Sequence, residues 1–200
     1  MIINNFEKTI SIKIVYFGPA LSGKTTSLKF LFEHFNKTPV LSIENTLKRT
    51  LFFDYGTISF QNNHWKLKIH IYSTTGQDFY KITRPIVLNS LDGILFIADS
   101  YKKAYQRNIQ SWNELHYYFQ DIIKKLPIVF CFNKQDLPNK FKSMDLLNEI
   151  GLNNYENIAI DHTIAIIGEG IIRSFEKTIK LIFQDLVNSK LLLNNQTYFS

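Results

Sequence analysis

The 200-residue chain has one cysteine, Cys131, so an internal disulfide is excluded and the cytoplasm is the expected compartment. Cys131 lies in an apolar run and reads as a small buried hydrophobe. No apolar run is long enough to span a bilayer, and no secretory signal opens the chain. Ile2 stands where a myristoylation glycine would be, and Tyr198-Phe199-Ser200 is not a prenylation box, so neither lipid anchor is expected. The five histidines lack metal-ligand spacing. No Ser-His-Asp set or paired-carboxylate arrangement stands out. The formal charge is +6, but the lysines are scattered and no basic block or aromatic-basic interleaving occurs. Nucleic acid is therefore not expected as a partner, whereas peripheral contact with an acidic membrane stays compatible with the charge.

What is present reads as one domain, residues 1–200, with a core of about 9–188 and a short patternless tail. The apolar share of 45% is too high for a disordered chain. Strand and helix signals alternate, which points to α/β architecture. Ile12–Phe17 reads as a strand and Lys24–Phe35 as a helix. Thr57–Phe60 and Trp65–Tyr72 read as a hairpin across Gln61-Asn62-Asn63-His64. Gly93–Ala98 and Ile128–Phe132 are continuous apolar strands, as central parallel strands are. Asn157–Ala165 supplies another strand. Ile109, Trp112, Leu115, Phe119 and Ile122 form one helical stripe, and Ile172, Phe175, Ile179, Ile182 and Leu186 another. The expected fold is α/β, a mostly parallel six-stranded sheet with one antiparallel strand and helices on both faces.

Two motifs carry chemistry. Phe17-Gly18-Pro19-Ala20-Leu21-Ser22-Gly23-Lys24-Thr25-Thr26 fits G-x-x-x-x-G-K-[ST] and stands between a strand and a helix. Such a loop wraps phosphates with inward N–H groups and the positive end of a helix dipole. Gly18 and Gly23 permit close backbone approach. Lys24 is expected to reach the β and γ phosphates and Thr25 to ligate Mg²⁺. The second motif, Asn133-Lys134-Gln135-Asp136, follows a strand directly. A carboxylate at Asp136 can accept N1–H and N2–H of guanine together, and adenine cannot supply that pair. Asn133 is expected to tie the base loop to the phosphate loop or to bond the base, and the Lys134 stem to lie over the base plane. Ala165, after the last strand, is the candidate backbone donor to the base O6; a plain strand-to-helix turn reads the segment equally well. GTP or GDP is thus expected over ATP, and Asn133 with Asp136 argues against an ATP-using phosphotransferase.

With these motifs in place the chain resembles the bacterial Ras-like small GTPases of the MglA type. The resemblance is carried by residues 18–26, by Arg49-Thr50-Leu51-Phe52-Phe53-Asp54-Tyr55, by Tyr72 through Gln77, by Asp92 through Ser100 and by Asn133 through Asn139. It implies a Ras-like P-loop domain and a Mg-dependent GTP/GDP switch in cell polarity or surface motility, with a roadblock-type activator and effectors it does not name. It implies that Thr50 ligates Mg²⁺, that Gly76 senses the γ-phosphate and that Gln77 orients water. It also implies that Arg49 is an arginine finger within the chain, a group able to contribute about 10³–10⁵ in rate; from the residues alone Arg49 is an exposed loop charge. Two departures stand out. Ser73 replaces the usual switch aspartate, a loss the MglA type shares and that Asp54 can offset through water. Ala20 stands where glycine is usual and can crowd the Gln and Arg near the γ-phosphate, so slow hydrolysis is expected. The alternative is a GTP-binding scaffold with negligible hydrolysis.

Overall fold

The structure is a computed structural model that describes residues 1–37, 53–74 and 84–196, with the side chains of Phe53, Asn153 and 187–196 outside the description. Among the described residues the strands are β1 (Ile2–Asn4), β2 (Thr9–Phe17), β3 (Phe53–Gln61), β4 (Lys66–Thr74), β5 (Gly93–Asp99), β6 (Ile128–Asn133) and β7 (Ile158–His162). The helices are α1 (Lys24–His34), α2 (Arg84–Leu88), α3 (Tyr105–Phe119), α4 (Ser143–Glu149) and α5 (Ile171–Gln196). The sheet runs β3-β4-β2-β5-β6-β7, with β1 beside the start of β2. The β2, β4, β5, β6 and β7 pairings are parallel, and β3 is antiparallel to β4. These six strands match the expected sheet. The three-residue β1, antiparallel to β2 with Ile3 opposite Ile10, adds a seventh. Three residues carry no readable periodicity, so β1 had no signal in the sequence.

Every residue of β5 and β6 is buried, as helices on both faces require. The period-two alternation of β2 splits its side chains between two cores. Ile12, Ile14 and Tyr16 face Leu28, Leu31 and Phe32 of α1 and Phe175 and Ile182 of α5. Val15 and Phe17 join Phe96, Phe130, Trp112 and Leu115 on the other face. There Phe96 stacks on Phe130 at 4.7 Å and meets Trp112 edge-on at 5.2 Å. Helix α5 is held to β7 by Asp161, whose two oxygens accept from Arg173 Nε at 3.0 Å each while Lys177 lies 2.9 Å away.

One stripe differs from its expectation. Helix α3 stops at Phe119 because Gln120 takes φ +49°, and a short 3₁₀ turn follows. The change of pitch exposes Ile122 and buries Ile123 instead. The last strand is also shorter than expected. It ends at His162, and Ala165 lies in the turn beyond it.

The parallel order fixes the polarity of the molecule. Strands β2, β5 and β6 end at Phe17, Asp99 and Asn133, so the loops after them share one edge of the sheet. The β1–β2 and β3–β4 turns lie together at the opposite edge, where Lys66 N–H donates to Lys8 O at 2.8 Å.

Candidate functional site

The β2–α1 loop is shaped by two glycines. Gly18 has φ +142°, and a Cβ there would stand 2.3 Å from Ile97 O on β5. Gly23 has φ +102°, and its Cβ would stand 2.2 Å from Asn133 Nδ2. Both positions demand glycine by conformation and by space. Gly23 caps α1 without a side-chain bond, so the first-turn N–H groups of the helix face the loop, and Ser27 Oγ donates to Gly23 O at 2.9 Å. Ala20 and the exposed Leu21 form the outer turn, with Leu21 at φ +63°. Ser22 is fully buried, and Thr25 and Thr26 stand in the first turn of α1.

Lys24 is the site's main cation. Its Nζ donates to Gly18 O at 2.8 Å and Pro19 O at 2.7 Å. Burial pushes its ammonium down to about 7; the cation of Arg84 adds to the fall, Asp54 opposes it, and Lys134 adds again. Beside it, Thr25 Oγ1 donates to Asp54 Oδ2 at 2.7 Å. Asp54 is buried on β3 directly opposite Ser73 on β4. A buried carboxylate thus lies one strand away from Ser73 and accepts from the Thr25 hydroxyl.

Asn133 joins three loops with one side chain. Its Nδ2 donates to Ser22 O at 2.7 Å, and its Oδ1 accepts from Thr163 Oγ1 at 3.1 Å and from Ala165 N–H at 3.0 Å. The expected tie between the phosphate and base loops is present as geometry. The Ala165 N–H, the expected donor to the base, donates to Asn133 Oδ1 and so braces the turn beyond β7.

Lys134, at φ +67°, donates from Nζ to Asp99 Oδ2 at 2.7 Å. Asp99 Oδ1 accepts Tyr101 N–H at 3.0 Å, a turn role at the end of β5. Asp136 is exposed in the turn after Lys134. Gln135 carries signal that a motif's variable position cannot show. Its N–H meets Thr163 O at 3.2 Å, and its Nε2 reaches Ser100 Oγ at 2.8 Å and Phe132 O at 3.2 Å. Arg84 was likewise unreadable, since an arginine before a proline looks like surface charge. It is buried, paired with Glu114, with its guanidinium 5.9 Å from the Phe17 ring centroid. Arg49, Thr50, Gly76 and Gln77 lie outside the described residues.

The donor set fits a nucleotide phosphate and a magnesium ion. A buried ammonium held below its usual range is stabilised by an anion. A hydroxyl paired with a buried carboxylate supplies the hard oxygens that Mg²⁺ takes.

Comparison with known proteins agrees with this arrangement. Residues 1–182 match the ADP-ribosylation factor family. The chain is 32% identical over 194 residues to the mutual gliding-motility protein MglA of Myxococcus xanthus, covering 92% of this chain and 96% of that protein. It is 26% identical over 169 residues to ADP-ribosylation factor-like protein 6 of Caenorhabditis elegans, covering 83% and 84%. It is also 26% identical over 177 residues to the Ras-related protein Rab-5B of Plasmodium falciparum, covering 86% and 78%.

Replacing Asn133 by Ala leaves Ser22 O, Thr163 Oγ1 and Ala165 N–H without this buried partner. The expected loss of stability is about 1–3 kcal/mol, read from the urea midpoint. A variant with an unchanged midpoint would show that the three loops hold together without this amide.

Proposed function

The chain belongs to the ADP-ribosylation factor family of small GTPases and is MglA-like within it, and on that footing we propose that it is a Mg-dependent GTP/GDP switch that hydrolyses GTP slowly and selects partners by its nucleotide state. Guanine-nucleotide binding comes with the family. The observation that carries the finer reading is the Asn133 side chain, which fixes the phosphate loop and the base loop to one another. In this reading the N–H groups of the 18–25 loop, all but that of Pro19, which has none, and the Lys24 ammonium hold the β and γ phosphates. Thr25 and Thr50 ligate the metal, and Asp54 orients its water shell. Asp136 accepts the two N–H groups of guanine, and the stem of Lys134 covers the ring. Gln77 positions the attacking water, and Arg49 meets charge that develops on the γ-phosphate. The metal, when bound, neutralises charge on the β and γ oxygens.

The similarity to a protein named for mutual gliding motility supports a role in cell polarity or surface motility, with a roadblock-type activator. A second reading, a GTP-loaded scaffold with negligible hydrolysis, is favoured by Ala20 in the loop and Ser73 on β4. Single-turnover cleavage of GTP with and without activator separates the two.

Three measurements test the proposal. A fluorescent GDP analogue bound to the purified protein is expected to be displaced by GTP and GDP and not by ATP; equal displacement by ATP would remove Asp136 from its role. Replacing Ala20 by Gly is expected to raise single-turnover hydrolysis by about tenfold, roughly 1.4 kcal/mol of barrier. An unchanged rate would mean that the Ala20 methyl does not crowd the reacting groups. Lys24 supplies the third. Its ammonium is held down to about 7, and bound phosphate favours the charged form, so binding takes up a proton between that value and the ordinary lysine range. GDP binding at pH 8 is expected to take up close to one proton and at pH 6 about a tenth of one through this group. Calorimetry at pH 8 in buffers of different ionisation heat reads the uptake, and identical heats in all buffers would exclude it.

A further inference from the structure

We propose that Asp99 is a positioning residue for the nucleotide base: it holds the Lys134 ammonium so that the lysine stem lies ready across the ring, and it thereby slows nucleotide release. The inference rests on the guanine-nucleotide reading above and adds a residue that neither motif contains.

Asp99 closes β5 and stands opposite Asn133 in the β5–β6 register, beside the start of the base loop. It is 2% exposed. Asn108 on α3 grips its backbone twice, accepting the Asp99 N–H at 2.9 Å and donating from Nδ2 to the Asp99 carbonyl oxygen at 2.8 Å. Tyr101 N–H donates to Oδ1 at 3.0 Å. Oδ2 is turned to cations. Lys134 Nζ donates to it at 2.7 Å, and Arg107 Nη2 stands farther off, at 3.9 Å, on a side chain that is 45% exposed. The turn requires one side-chain oxygen, which asparagine supplies as well as aspartate. A full negative charge at a buried strand end is more than the turn asks for. Such a charge is costly unless a cation meets it, and Lys134 is the cation in hydrogen-bond range.

Lys134 gains from this hold. Its backbone sits at φ +67°, fixed by the bond from Leu137 N–H to Lys134 O at 3.2 Å and by the neighbouring bond from Gln135 N–H to Thr163 O. Its flexible four-carbon stem would otherwise lose rotamer freedom when a ligand arrives. With the backbone fixed beyond β6 and Nζ fixed at the end of β5, the stem is anchored at both ends before binding, and that part of the ordering is already complete. The Lys134 charge is felt at the phosphate loop, where it adds to the fall of the Lys24 ammonium. Because Asp99 takes up the ammonium, what Lys134 offers the base is its methylene stem.

The test follows release of a fluorescent GDP analogue from the full chain in magnesium buffer. Asp99→Asn keeps the turn oxygen and removes the charge. It is expected to release GDP about fivefold faster, the scale of one long side chain left to be ordered on binding. Arg107→Gln is expected to release it at the parent rate. Lys134→Met keeps a stem and loses the ammonium, so adding Asp99→Asn to it should change release by less than about twofold. Inosine diphosphate separates positioning from damage to the base loop. It lacks the N2–H that Asp136 accepts but presents the same ring face. Asp99→Asn should therefore weaken GDP and inosine diphosphate by one factor and leave their affinity ratio at the parent value. The inference is overturned if Asp99→Asn releases GDP at the parent rate, if its effect persists undiminished in Lys134→Met, or if the ratio collapses toward one. A parent protein that binds neither GDP nor GTP overturns the guanine reading and this inference with it. A parent that binds both while Asp99→Asn changes nothing overturns this inference alone.

Discussion

One carboxamide sets the geometry on which the site depends. Asn133, buried at the end of β6, donates to the phosphate loop and accepts from two groups beyond β7. The segments it joins are far apart in sequence, so no local propensity could hold them in register. A buried amide can, because each unmet partner costs free energy in a medium without water. The constraint acts in both directions. Gly23 has no room for a Cβ because Asn133 Nδ2 occupies that space, so the glycine of one motif and the asparagine of the other define a single contact.

Around that frame the site concentrates unlike charges at short range. Lys24, Arg84 and Asp54 are all buried, and Lys24 is held by the Gly18 and Pro19 carbonyls. A buried ammonium is tolerated when oxygen dipoles surround it, yet it keeps a strong preference for a full negative charge. The antiparallel register of β3 and β4 contributes as well. It places Asp54 opposite Ser73, where the Asp54 carboxylate accepts from Thr25 Oγ1.

Much of this was readable beforehand, and for definite reasons. Strands β5 and β6 announce themselves because burial on both faces leaves no polar position in 93–98 or 128–132. The phosphate loop and Asn133 are legible because their chemistry fixes spacing as well as residue type. Readability fails where a role depends on partners distant in sequence. Arg84 and Glu114 are ordinary charges until the fold buries Arg84 against the half-buried Glu114, and Gln135 stands at a position where any residue satisfies the motif. Ile122 fails for a local reason. Its spacing suits α3, but Gln120 takes a positive φ, the helix stops and the phase is lost. The bond from the Ala165 amide to Asn133 spans 32 residues of chain, so no local pattern announces it. Arg49, Thr50, Gly76 and Gln77 rest on resemblance.

The common direction of β2, β4, β5, β6 and β7 has a consequence in distance. The nine residues of β2 separate the lysine-bearing turns from the phosphate loop by roughly 30 Å at about 3.3 Å per residue. In physiological salt the Debye length is about 8 Å, so solvent ions screen the two ends from each other several times over. Lys8, Lys66 and Lys68 at that pole therefore act only weakly on Lys24. The sheet thus serves as an insulating spacer, and the two poles can change their charge without retuning one another.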